Sequence, residues 1–219
     1  MSKEVLCQIQ DLGLIDYSQA WQRQKENVCL VINGGIDTLL LCEHPVVVTL
    51  GRVANKQNCL IPPEELESRR IKVIPVDRGG DVTLHAPGQL VSYPIFNLFK
   101  LGKDLRAFLD KLEQVAIDLL QDFDIVAARI SGQTGVWVGK EKIASIGIGV
   151  RKWVSFHGMA INVNTDLKCF SLIKPCGLDV HMTSIRKILG KDIDLDFIKS
   201  RIVEKYMRNF YLAPINPQD

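Results

Sequence analysis

The residue best suited by type to attack a carbonyl is Cys176, in the run Ile173-Lys174-Pro175-Cys176-Gly177. Pro175 fixes its own φ and lacks an N–H, and Gly177 tolerates almost any backbone, so this spacing predicts a thiol displayed on a turn instead of packed in a core. A free thiol has a pKa of about 8.5 and needs a cationic or basic neighbour to become a competent nucleophile at neutral pH. His85, His157, His181 and Lys142 are the candidates, because such pairs meet in the fold and not along the chain.

Two further stretches break the rules of an ordinary element interior. In Lys142-Ile143-Ala144-Ser145-Ile146-Gly147-Ile148-Gly149, a lysine opens an otherwise apolar strand. Alone, Lys142 reads as a charge that keeps a sheet edge soluble. Ser145, Gly147 and Gly149 share one face, however, and leave room for a slim apolar ligand to lie against the backbone. In Arg78-Gly79-Gly80-Asp81-Val82-Thr83-Leu84-His85-Ala86-Pro87-Gly88-Gln89-Leu90, the glycine pair exposes backbone N–H groups and Arg78 adds a fork of donors. Pro87-Gly88 suits the centre of a type II turn, which folds the loop bearing His85 back over a strand resuming at Gln89.

These stretches need a scaffold, and the periodicities supply one. Residues 4–10 read as a strand, followed by a helix with Asp16 as its N-cap and Tyr17, Ala20, Trp21, Gln24 and Val28 on one face. Strands are expected at 38–42, 46–50 and 72–76, with a short helix opening at Pro62-Pro63. From Asp104 the apolar spacing predicts an amphipathic helix of about 18 residues. Strands at 135–138, 142–151 and 153–163 follow, the last two as a hairpin, and a final helix covers 194–211. The fold class expected is α/β of the α+β type, a mixed and largely antiparallel sheet flanked by helices. Residues 1–219 are read as a single catalytic domain.

Composition narrows the functional classes. With 219 residues, 47% of them hydrophobic, one core forms without staples. Lys and Arg number 27 against 25 Asp and Glu, a net charge of +2, which argues against a dedicated nucleic-acid binder. Any acidic partner has to be met by local clusters such as Arg69-Arg70-x-Lys72, Arg151-Lys152 and Arg186-Lys187. The six cysteines show neither C-x-x-C pairs nor zinc-finger spacing, so no metal is expected. Cys7, Cys29, Cys42, Cys59 and Cys169 are read as small buried or structural residues. No apolar run is long enough to span a membrane and no signal-peptide pattern is present, so the expectation is a cytoplasmic protein with reduced thiols. His44 and His181 are read as loop histidines, and His157 as more structural than catalytic. Neither a G-x-G-x-x-G fingerprint nor a G-x-x-x-x-G-K-[ST] loop occurs, and no cofactor is expected.

Taken in order, the blocks resemble the lipoyl(octanoyl) transferase family. They are Arg78-Gly79-Gly80-x-x-Thr83-x-His85-x-Pro87-Gly88-Gln89-Leu90-x-x-Tyr93-Pro94-Ile95, Thr134-Gly135-Val136-Trp137-Val138, Lys142-Ile143-Ala144-x-Ile146-Gly147, His157-Gly158-x-Ala160-x-Asn162-Val163 and Pro175-Cys176-Gly177. The resemblance implies the fold of lipoate and biotin protein ligase catalytic domains. It implies that Cys176 carries the acyl group as a thioester and that Lys142 lowers the pKa of this thiol. Substrate contacts are implied for Arg78, Gly79, Gly80, Asp81, Val82, Thr83, Leu84 and His85, for Ser145, Ile146 and Gly147, and for Gly158, Met159 and Ala160. The implied donor is octanoyl-acyl-carrier protein. The implied acceptors are lipoyl domains of 2-oxoacid dehydrogenase E2 subunits and the glycine cleavage H protein, in the first step of lipoate cofactor synthesis on proteins. Ala86, Leu84 and Gln133 depart from the usual family pattern. Three alternatives remain on sequence grounds: an ATP-dependent ligase of the same fold, a non-catalytic carrier-binding module and, more weakly, a thiol hydrolase.

Overall fold

The computed structural model describes residues 5–174 and 180–215. Strand β1 (Val5–Leu14) leads into helix α1 (Tyr17–Ile32), then β2 (Asp37–Glu43) and β3 (Val47–Leu50). A short α2 (Pro63–Ser68) precedes β4 (Lys72–Pro75), β5 (Val82–His85) and β6 (Gln89–Ile95). Helix α3 (Leu105–Gln121) is followed by β7 (Ala128–Ile130), β8 (Gln133–Val138), β9 (Glu141–Arg151) and β10 (Val154–Asn162). The chain closes with α4 (Ile185–Leu189), α5 (Leu195–Phe210) and β11 (Leu212–Ile215).

Each long helix begins where an aspartate satisfies the orphan N–H groups of a first turn. The Asp16 carboxylate accepts from Ser18 N–H, Asp104 from Arg106 and Ala107, and Asp194 from Asp196. The apolar stripes then choose the buried face: Phe108, Leu112, Val115, Ala116, Leu119 and Leu120 in α3, and Ile198, Ile202, Tyr206 and Phe210 in α5.

Eight strands form the main sheet in the order β11-β1-β2-β6-β10-β9-β8-β7. Helices α3 and α5 cover one face, packing on Leu39, Leu41, Leu90, Ile143 and Ile161, while α1 covers the other, on Leu40, Val91, Tyr93 and Ala160. Neighbouring residues of one strand thus enter different cores, which is why β2 and β10 are apolar along most of their length. The expected mixed, largely antiparallel sheet with flanking helices is present; β1 is its parallel element, pairing with both β2 and β11. Strand β11 escapes the periodicity because it is short, contains Pro214 and gains its pairing only when α5 ends at Tyr211 in the left-handed region, φ 56°.

Strands β3, β4 and β5 do not join this sheet. They form a three-stranded one, β4-β3-β5, over a third apolar cluster that includes Val48, Val82, Leu84 and Phe170. The β9–β10 hairpin is closed by Lys152 and Trp153, at φ 48° and 62°, the two-residue turn whose twist matches the strands. The Pro87-Gly88 turn also forms: Gln89 N–H donates to the Ala86 carbonyl at 3.2 Å, and Gly88 has φ 79°. Among the described residues no helix is long and apolar enough to cross a membrane.

One cysteine departs from expectation. Cys7 and Cys42 are buried, Cys59 and Cys169 partly so, but Cys29 is exposed. It lies on α1 outside the buried set Tyr17, Ala20, Gln24, Asn27, Val28 and Val31, so the helix turns it to solvent.

Candidate functional site

The hairpin register brings two of the predicted stretches together. Gly158 pairs with Gly147, Met159 with Ile146 and Ala160 with Ser145. The Arg78 loop is then fastened over them, since Gly79 N–H donates to the Ile148 carbonyl at 2.8 Å. This close approach needs glycine: a β-carbon on Gly147 would stand 2.9 Å from the Gly79 carbonyl oxygen and 3.2 Å from Arg78 Cδ. At Gly158 a β-carbon would stand 2.2 Å from the Ser92 carbonyl oxygen. The loop is held from its other side as well, with Arg52 N–H donating to the Arg78 carbonyl at 3.0 Å and Asn55 N–H to Asp81 Oδ1 at 2.9 Å.

Between loop and sheet lies a mostly apolar cavity. Its lining includes Arg78, Gly80, Asp81, Val82, Thr83, His85, Ser145, Ile146, Gly147, Gly158, Met159 and Ala160 from the predicted set, joined by Tyr17, Val91, Tyr93 and His157. Gly79 lines an adjoining cavity that also contains Lys142 and Thr134 and shares Gly80, Asp81, Ile146 and Gly147 with the first. Leu84 behaves differently. It is fully buried among Val48, Val82 and Phe170 under the small sheet and lines neither cavity, because alternation along β5 turns it away from Thr83 and His85.

Arg78 is 7% exposed, and its guanidinium is held in place by Thr49. Nη2 donates to the Thr49 carbonyl at 2.8 Å and to its hydroxyl at 2.9 Å. At and behind the cavity wall, histidines and tyrosines are joined by hydrogen bonds. His157 Nε2 donates to Asp77 Oδ1 at 2.8 Å, leaving Nδ1 to accept from the Tyr17 hydroxyl at 3.4 Å. His85 Nδ1 donates to Gln89 Oε1 at 2.7 Å, and Gln89 Nε2 donates on to Asn162 Oδ1. His44 is no loop bystander: it is fully buried, donating from Nδ1 to the Ile15 carbonyl at 2.8 Å and accepting at Nε2 from the Tyr93 hydroxyl at 2.7 Å. Burial lowers the three imidazoles, to about 4 for His44, about 3 for His85 and about 4 for His157. Burial likewise pushes the Tyr17 and Tyr93 phenols up, so all five rings are neutral at pH 7. His157 also holds a left-handed φ of 54° inside β10, a strained position stabilised by its own N–H donating to Gln24 Oε1 at 2.8 Å.

Lys142 is 2% exposed, which overturns the edge-lysine alternative. Strand β9 is flanked on both sides, by β10 and β8. The lysine Nζ donates to the Thr134 carbonyl at 2.8 Å and lies 5.2 Å from the Trp137 ring centroid. Its backbone is tied to the segment after Cys176: Lys142 N–H donates to the His181 carbonyl at 2.8 Å and Thr183 N–H to the Lys142 carbonyl at 2.9 Å. Cys176 itself lies outside the described residues. Among those residues no cluster of three or more His, Cys, Asp or Glu side chains is arranged to hold a metal ion.

Sequence reasoning did not select Tyr17, Val91 or Tyr93 for this cavity. Tyr93 lies within the quoted Tyr93-Pro94-Ile95 block and Tyr17 opens the buried face of α1, so a signal existed in both. Val91 is one apolar residue among many, and only the β6–β10 register brings it against Ala160.

The mixed sheet thus carries a buried lysine beside an apolar cleft roofed by a glycine-rich loop. The model of the lipoyl protein ligase A/B catalytic domain matches residues 16–207, and the chain belongs to that family, on its octanoyltransferase branch. The octanoyltransferase of Caldicellulosiruptor saccharolyticus is 46% identical over 203 residues, covering 91% of this chain and 86% of the relative. That of Solibacter usitatus is 45% identical and covers 93% of each. Among solved structures, a bipartite lipoate protein ligase of Thermoplasma acidophilum superposes with a TM-score of 0.78 at 13% identity, over 97% of this chain and 86% of that one. A biotin protein ligase of Aquifex aeolicus in complex with biotin and ATP gives 0.57 at 15% identity, over 93% and 70%. These two likenesses concern the fold alone.

Proposed function

We propose that this octanoyltransferase works through a thioester on Cys176, with Lys142 as its partner, and that residues 1–219 act as one catalytic domain. The observation that carries the reading is the placement of Lys142. A lysine amine is buried in the wall of a cavity that adjoins the apolar cleft and shares residues with it, and its backbone is bonded to His181, five residues after Cys176 in the sequence.

In the first half-reaction the Cys176 thiolate attacks the thioester carbonyl of octanoyl-acyl-carrier protein. A new C–S bond forms, the carrier's C–S bond breaks, and the carrier sulfur leaves to take up a proton. In the second, a lysine amine of a lipoyl domain attacks the Cys176 thioester, a C–N bond forms, and Cys176 departs as thiolate. The Lys142 ammonium stabilises the thiolate in the first step, and its amine form takes the proton lost by the incoming amine in the second. Exchange of one thioester for another is close to isoenergetic and amide formation is downhill, so neither step calls for ATP.

The octanoyl tail lies along Gly147, Gly158, Met159 and Ala160, under the Arg78 loop. The oxyanion donors are sought in backbone N–H groups beside Cys176 or in the Gly79-Gly80 pair, of which the Gly79 N–H is already committed to Ile148. Lipoyl domains of 2-oxoacid dehydrogenase E2 subunits and the glycine cleavage H protein are the acceptors, and the reaction runs in the cytoplasm. Of the basic clusters suggested for docking acidic carriers, two are already ion-paired. Arg69 meets Glu65 and Lys72 meets Asp16, while Arg186 meets Asp192 and Lys187 meets Glu141. Arg151-Lys152 caps the β9–β10 hairpin instead.

Intact-mass analysis tests this reading. After incubation with octanoyl-carrier protein, the wild type gains one octanoyl group and loses it on addition of a lipoyl domain, whereas Cys176→Ser gains none. A full mass shift in Cys176→Ser would remove Cys176 as the nucleophile.

A further inference from the structure

One peptide unit beside Lys142 is gripped at both ends. The Thr134 carbonyl accepts from Lys142 Nζ at 2.8 Å, and the N–H of the same peptide, on Gly135, donates to Glu113 Oε1 at 3.0 Å. Glu113 reaches this point from α3, 7% exposed. Its second oxygen, Oε2, accepts from Arg129 Nε at 2.9 Å, and Arg129 is itself fixed by the Asp110 carbonyl at 2.7 Å and Gln114 Oε1 at 3.0 Å.

The grip answers a weakness in the backbone. Gly135 has φ 129°, and a β-carbon there would stand 2.5 Å from Lys142 Cε, so the lysine stem needs this glycine to cross β8. A glycine peptide is free to turn, and a turned peptide would aim its N–H, not its carbonyl, at the ammonium. Glu113 prevents that. A carboxylate that accepts the N–H also polarises the peptide and strengthens its carbonyl as an acceptor. A buried carboxylate is costly where an apolar side chain would pack α3 against β8 without penalty, so packing alone does not account for it.

We propose that Glu113 is a positioning residue for Lys142, acting through the Thr134–Gly135 peptide. This inference rests on the role of Lys142 given above. The sequence held a faint signal, because Glu113 stands a heptad before Leu120 and four residues after Leu109, on the flank of the apolar stripe of α3.

The test uses the full chain with octanoyl-carrier protein as donor, comparing Glu113→Gln, Lys142→Ala and the double variant, with melting temperatures measured alongside. Glu113→Gln keeps shape and an acceptor oxygen but sets an amide against Arg129. Its kcat is expected to fall about tenfold with KM for the donor within about twofold of wild type, the signature of a lost chemical-step interaction. Cys176 alkylation by iodoacetamide, followed on its own peptide, is expected to move to higher pH in both single variants. The double variant is expected to be no slower than Lys142→Ala, because one effect passes through the other. An unchanged kcat in Glu113→Gln, or losses that multiply in the double variant, would overturn the proposal while leaving Lys142 in place. Full activity in Lys142→Ala would instead remove the role of Lys142, and this inference with it. Should Glu113→Gln fail to fold, Glu113→Asp keeps the charge for Arg129 and withdraws the carboxylate by one methylene, and the same non-additivity decides.

Discussion

Replacing Gly135 with alanine puts the Lys142 geometry under direct strain. The added β-carbon would lie 2.5 Å from Lys142 Cε, 3.1 Å from its Nζ and 2.6 Å from the Ala144 carbonyl oxygen. Backbone and lysine both have to move. A non-glycine residue forced to φ 129° costs about 1–3 kcal/mol, and the overpacking adds about 1–3 kcal/mol more, so about 3 kcal/mol is the working figure. For a chain of this size, at about 2–4 °C per kcal/mol, the melting temperature should fall by about 6–12 °C. Because the easiest relief is to push Lys142 away from the Thr134 carbonyl, single-turnover acylation of Cys176 by octanoyl-carrier protein should slow by about tenfold or more, at a temperature where the variant is fully folded. Calorimetry gives the first number and time-resolved intact mass the second. Asp104→Ala supplies the control: it removes the N-cap of α3 at about 1 kcal/mol and should leave acylation unchanged. A Gly135→Ala protein that melts within about 1 °C of wild type and acylates at the wild-type rate would refute the argument that the lysine stem needs that space.

Further predictions concern the cleft and the pH range. Gly147→Ala should raise KM for the donor several-fold, since its β-carbon would press on the Gly79 carbonyl and Arg78 Cδ at the roof of the cleft; an unaltered KM counts against the tail lying there. Lys142→Ala should shift iodoacetamide modification of Cys176 to higher pH, and an unchanged profile would separate the two residues. Stability should fall in mild acid. His44, His85 and His157 have native pKa values of about 4, 3 and 4, below the ordinary 6.5, so the unfolded chain binds more protons below that value. Their contribution is complete above about pH 6.5 and is lost as the pH falls towards 4 and below. Urea titrations at pH 7.5 and 5.0 check this, and equal midpoints would contradict the neutral-histidine assignment.

Much of this molecule is legible in the sequence because it depends on local rules. Aspartates at 16, 104 and 194 start helices whose apolar spacing selects the buried face, and Pro87-Gly88 and the 151–154 turn shape their loops through backbone preferences alone. The chemical candidates were visible for a related reason: a lysine in an apolar strand, a glycine pair beside an arginine and a cysteine between proline and glycine each violate the demands of an ordinary element. Local rules do not reach pairing between distant segments. That β3, β4 and β5 leave the main sheet, and that β11 joins β1 in parallel, depends on contacts across much of the chain. The same holds for burial. Lys142 looks like an edge charge until β8 and β10 flank its strand, and His44 looks like a loop residue until Tyr93 and Ile15 enclose it; Glu113 meets Gly135 and Arg129 only in the folded chain. Sequence determined which residue types were available for acyl chemistry. Only tertiary packing, by removing water and fixing a single partner for each polar group, decided which of them bear on Lys142.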